Sequence, residues 1–115
     1  MIQRRTLLLA LAAVPMLAVA HHGWSEYETT QPLKLTGTIE SSGYEHPHGF
    51  VRLKTADKTW LAVLAPPSRM ESRGLAKNLL TAGTTATVEG YRNKSKPDEM
   101  RAERITVADK TIELR

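Results

Sequence analysis

Residues 33–64 read LKLTGTIESSGYEHPHGFVRLKTADKTWLAVL. At the start of this stretch Leu33, Leu35, Gly37 and Ile39 share one parity, the period of a strand that buries one face. Gly37 is expected to mark a bend or bulge where a small barrel curls. His48 to Lys54 predicts a second strand with Val51 and Leu53 facing inward. Ala56-Asp57-Lys58 reads as a hairpin turn, and Thr59 to Leu64 as the third strand. Pro66-Pro67 ends that strand, because neither residue can donate to a ladder.

Beyond the prolines the period changes. In SRMESRGLAKNLL, residues 68–80, Met70, Leu75, Leu79 and Leu80 line one side of a helical segment. Ser68 and Glu71 have the spacing of a capping box. Gly74 falls in the middle and predicts two short turns rather than one helix. Alternation returns in TTATVEGY, residues 84–91, with Ala86 and Val88 inward. Asn93 to Glu99 is a charged loop. In RAERITV, residues 101–107, Ala102 and Ile105 are out of phase, which predicts a bulge. Asp109-Lys110 is expected to turn into a last short strand, TIELR. Three strands, a short helical piece and further strands form the order of an OB-like barrel. The expected fold is mainly β: a small five- to six-stranded Greek-key barrel with one short helix, over residues 33–115.

Upstream the chain has a different character. Residues 7–20, LLLALAAVPMLAVA, carry no charge, follow Arg4-Arg5 and end in Ala18-Val19-Ala20. This is the layout of a secretory signal peptide over residues 1–20. The apolar run is short for a membrane span, which takes about 20 residues. The expectation is therefore export to the periplasm or outside the cell, with no stable membrane insertion after cleavage. Residues 21–32, HHGWSEYETTQP, show no stable period and read as an N-terminal arm.

Charge narrows the partners. The formal +4 includes two arginines of the leader. Beyond it 14 basic side chains face 12 acidic ones, interspersed along the chain, a balance of +2. With aromatic residues at only 5%, this is not a nucleic-acid footprint. There is no cysteine, so no disulfide and no thiol nucleophile. No nucleophile turn, phosphate-binding glycine loop or H-E-x-x-H zinc motif occurs, and no catalytic residue is assigned.

The four histidines fall in two pairs beyond residue 20. Cleavage after Ala20 would make His21 the first residue, so that its amine, its imidazole and that of His22 crowd one terminus. His46 and His48 flank Pro47, and in an extended chain they point to the same side. Imidazole suits copper, zinc, iron or nickel. Copper is the first metal to expect and zinc the second. One geometry chelates the metal through the His21 amine and ring and adds His48 or His46. Another uses the amine, a backbone amide and His22, without the barrel. The competing reading leaves the arm solvated and makes His46 and His48 turn residues. Glu26, Glu28 and Glu45 are near in sequence and read mainly as surface carboxylates. Trp24 and Tyr27 are expected to pin the arm, and Trp60 to sit in the core or at the rim. Phe50 is expected beside His48 on a binding face. Arg101 and Arg104 are expected to pair with Glu89 or Glu103 across strands.

The ordered motifs HHGW, LTGTIE, HPHGFVRL, LAPPSRMESRGL, AGTTATVEGY and RAERIT resemble a family of small exported bacterial proteins of unknown function. That resemblance covers residues 21–115. It implies a mature His-His-small-aromatic start, here His21, His22, Gly23 and Trp24. It also implies an Asn-Pro-His motif, matched by Pro47 and His48, with His46 where the family usually has asparagine. It directs attention to His21, His22 and His48 and implies no activity. Two functions follow as expectations. The first is an exported metal-binding module that acts as carrier, chaperone or sensor. The alternative is an accessory module that binds an exported protein or a small ligand, with no physiological metal.

Overall fold

The computed structural model describes residues 23–115. Six strands form one sheet: β1 Leu33–Gly43, β2 Phe50–Lys54, β3 Thr59–Val63, β4 Thr85–Arg92, β5 Glu99–Val107 and β6 Lys110–Glu113. Neighbours run β3-β2-β1-β4-β5-β6, and a parallel pairing of β3 with β5 closes the first five into a barrel. Among the described residues the one α-helix, α1, is Pro67–Ser72. A 3-10 turn at Lys77–Leu80 follows it. This is the mainly β, OB-like barrel expected from the alternation.

Closure needs two strands that change partner. β1 pairs with β4 through residues 33–38 and with β2 through residues 38–43. Its register slips between Ile39 and Ser41, so the bulge is at Glu40 and not at Gly37. Gly37 serves a different need: a Cβ there would collide with the Lys54 carbonyl where β2 crosses close by. On β5, Glu89 faces Arg104 but Gly90 faces Ala102, which leaves Glu103 as the extra residue. The phase break between Ala102 and Ile105 has this origin. Below the bulge β5 pairs with β3, and above it with β6.

The core is dry. Val51, Leu53, Ala62, Met70, Leu75, Val88, Met100, Ala102 and Ile105 are fully buried. The Ser68–Glu71 capping box does not form, because α1 begins at Pro67 and carries no side-chain cap. Pro66-Pro67 fixes the helix start two residues too early for Ser68 to cap it. Gly74, at φ +90, ends the helix, and Leu75 returns to the core with its N–H on the Met70 carbonyl at 2.8 Å. The β5–β6 turn is Ala108-Asp109, one residue earlier than expected, with φ of 52 and 63. Among the described residues no helix is long and apolar enough to cross a membrane.

Candidate functional site

The described part of the arm docks on the barrel through Trp24, Tyr27 and Glu28. Trp24–Glu26 forms a 3-10 turn, and Tyr27 bridges to Asn93. The Glu28 N–H donates to the Arg92 carbonyl and the Lys94 N–H to that of Glu26, each at 2.9 Å. Tyr27 is buried, and its hydroxyl donates to Glu99 Oε2 at 2.6 Å. Burial and the Glu99 carboxylate push the phenol well above its ordinary range. Asn93, also buried, donates to the same Glu99 oxygen at 3.2 Å. Its Oδ1 accepts the N–H groups of Ser95 and Lys96, both at 2.9 Å, which holds the β4–β5 loop in a tight turn.

His48 reaches the same region from the other side. Its neighbour Gly49 donates to the Ala65 carbonyl and accepts from the Leu64 N–H, each at 2.9 Å. A Cβ on Gly49 would strike the Met70 side chain and crowd the Gly43 carbonyl. Glycine lets the chain pass close to α1 without moving Met70, and the two backbone hydrogen bonds of Gly49 hold the loop that carries His48. β2 begins at Phe50, so His48 belongs to the loop before the strand and not to the strand.

The two parts meet across an open cavity of about 250 Å³. Gly23, Glu26 and Tyr27 line it from the arm, Pro47 and His48 from the loop, and Val63, Glu99 and Arg101 from the barrel. Arg101 is the group that sequence reasoning missed. It is only 8% exposed, and burial pushes its guanidinium below the ordinary value. Its Nη2 lies 3.4 Å from His48 Nε2. A guanidinium has no lone pair, so this contact is a hydrogen bond only when Nε2 is the bare ring nitrogen. Met100, Arg101 and Ala102 are all buried because β5 here lies between β3 and β4, and simple alternation gives no sign of it. Arg104 behaves as expected, with Glu89 at 3.5 Å and Glu103 at 3.5 Å, and adds Glu113 at 2.8 Å.

The remaining candidates separate. His46 is exposed and does not line the cavity, and its bond to Pro47 is cis. The extended His-Pro-His that would aim both rings one way is absent. Glu28 and Glu45 are exposed, and Glu26 reaches the cavity. Phe50 is half-buried beneath Arg52, whose Cζ is 5.8 Å from the ring, and does not line the cavity. Trp60 is buried, with Lys58 Nζ at 4.4 Å and Arg92 Cζ at 5.4 Å from its ring. His21 and His22 lie outside the described residues. Among the described residues no three His, Asp or Glu side chains gather as a metal-binding group. A metal in this cavity would draw on His48 and the Glu26 or Glu99 carboxylates.

A family profile matches residues 9–100, most of the chain. The protein belongs to DUF6152, a family of unknown function. Among curated proteins none matches the chain. Solved structures similar to this DUF6152 chain include TiaS in a complex with tRNA(Ile2) and ATP, at 21% identity and a TM-score of 0.53. A ZRD-deleted mutant of TiaS in complex with agmatine is similar at 20% identity and the same score. The matches cover 76% and 70% of this chain but only 19% and 22% of the TiaS chains. At that identity the likeness concerns the fold alone.

Proposed function

We propose that this DUF6152 protein is an exported metal-binding module, for copper before zinc, acting as a carrier, chaperone or sensor in the cell envelope. The observation that carries the reading is the docking of the arm. The 3-10 turn at Trp24 brings Gly23 into the cavity that His48 lines, and the two residues before Gly23 are His22 and His21. Two extended residues span about 7 Å, enough to cross a cavity of this size. After cleavage at Ala20, the His21 amine and ring would chelate the metal and His48 would add a ligand from the barrel. Glu26 supplies negative charge that offsets part of the Arg101 charge. Neutral nitrogen donors of this kind favour copper over the other divalent ions of similar size.

The contact between Arg101 and His48 favours a second reading. A fixed cation 3.4 Å from Nε2 opposes a metal at that nitrogen unless the guanidinium moves. In that reading the cavity is part of an interface for an exported protein or a small ligand, and the histidines are contact residues.

A Cu(II) titration of protein that begins at His21 separates the two. Sub-micromolar affinity that disappears when the terminal amine is blocked, or in His21→Ala, supports the metal module. Weak binding that neither change alters supports the interface. N-terminal sequencing of the protein from its native host tests the export step, and an intact Met1 on a membrane-associated protein would overturn it.

A further inference from the structure

We propose that Arg115 is a positioning residue for the arm: together with Arg101 it fixes Trp24, and Trp24 sets where Gly23 meets the cavity. Gly23 is exposed, and a Cβ there would meet nothing within 4 Å. Among the described residues Trp24 is the first anchor of the arm, and its ring is densely contacted. Tyr27 and Tyr91 meet it edge-on at 6.3 and 5.9 Å between ring centroids. The Arg101 and Arg115 guanidinium carbons lie 4.6 and 4.4 Å from the ring centroid. These are cation–π distances, and Trp is the aromatic side chain that binds cations best.

The two arginines are held differently. Arg101 is buried and already committed to His48. Arg115 is half-exposed, and its Nη1 pairs with Glu103 Oε1 at 3.1 Å. Its carbonyl accepts from Arg73 Nη1 at 3.1 Å, and the same nitrogen donates to the Glu113 carbonyl at 2.8 Å. The bulge on β5 and the residue after α1 thus place Arg115 on the Trp24 ring. The Glu103 carboxylate also offsets the repulsion between the two guanidinium groups that share this ring. Arg101 touches both Trp24 and His48, so the cluster ties the arm to the loop residue of the proposed site.

The effect on metal rests on the metal reading, whereas the effect on the arm does not. The test uses processed protein with Arg115→Ala and Arg115→Lys, chosen because Arg115 is exposed enough to change without unfolding the barrel. Amide relaxation of Gly23 and indole relaxation of Trp24 are measured without metal, and Cu(II) affinity is measured by competition titration. Arg115→Ala is expected to increase the mobility of Gly23 and the Trp24 indole and to weaken copper about two- to fivefold, the size of one exposed cation–π contact. Arg115→Lys, which keeps a cation on the ring, is expected to restore most of both. Unchanged relaxation in Arg115→Ala would overturn the proposal, and so would a lysine variant that behaves like alanine. If wild-type protein binds no copper while Arg115→Ala still loosens Gly23, the positioning role stands and the metal reading fails.

Discussion

In the barrel wall, Leu53 on β2 faces Trp60 on β3, and both are buried among apolar neighbours. At the mouth, where the arm docks, the buried side chains include Asn93 and Arg101, the two buried polar residues among those described. The wall is held by non-directional burial and a regular ladder. The mouth is held by directed contacts: Tyr27 and Asn93 converge on Glu99, and Arg101 reaches His48 and Trp24. Non-directional burial tolerates small shifts of position, while hydrogen bonds and ring contacts do not. The difference teaches that stability and position are supplied by separate parts of this small domain. The part that specifies position is the part that lines the cavity.

That division is open to test by substitution. The largest effect is expected in the wall. Leu53→Ala should cost about 2–5 kcal/mol in urea unfolding, because a fully buried side chain leaves a cavity. Asn93→Ala should cost less, about 2 kcal/mol, since it removes partners from Glu99, Ser95 and Lys96 together. Its distinguishing sign is a loosened arm, seen as faster amide exchange at Glu28 and Lys94, with the β1–β4 ladder still protected. Equal loss of protection in arm and ladder would break the distinction between the two regions.

Tyr27→Phe should cost about 1.5 kcal/mol, the value of one hydrogen bond to a carboxylate. It also sharpens the comparison through pH. The folded phenol titrates above its unfolded value of 10.0, raised first by burial and then by Glu99. The folded state therefore holds this proton where the unfolded state has lost it. The contribution is complete below about pH 10 and is lost as pH rises above it. Urea midpoints measured between pH 8 and 11 should fall less steeply above pH 10 in Tyr27→Phe than in wild type. The smallest effect is expected far from the mouth. Ala108→Gly should add about 0.5 kcal/mol by relieving a left-handed Cβ in the β5–β6 turn, with no change in the arm.

The wall was legible because burial there follows the period of a strand. Leu35, Ile39, Val51, Leu53 and Val88 announce their faces, and even the β5 bulge shows as a broken phase between Ala102 and Ile105. The mouth was only partly legible. Trp24 and Tyr27 mark an arm that packs, but nothing local shows that Tyr27 bridges to Asn93 or that Trp24 meets Arg115, since these contacts join distant parts of the chain. Arg101 looks like a surface partner of Glu89 or Glu103 until β3 closes over it. The His-Pro-His spacing pointed to two rings on one side, whereas the turn at Pro47 leaves His46 in solvent and His48 in the cavity. Gly37 does not carry the bulge, which lies at Glu40, but its lack of a side chain also answers to the Lys54 carbonyl of β2, a contact that no local pattern shows.

The claim that arm and barrel share one metal site is tested most directly by the Cu(II) affinity of processed His48→Ala protein, set beside wild type and His46→Ala. His48→Ala should weaken binding by at least about 10–100-fold, the loss that follows when even an outer partner of a metal ligand is removed. His46→Ala, whose ring lies in solvent, should stay near wild type. An unchanged affinity in His48→Ala would contradict the account. It would confine any copper to the terminal histidines and leave His48 as a contact residue of the mouth.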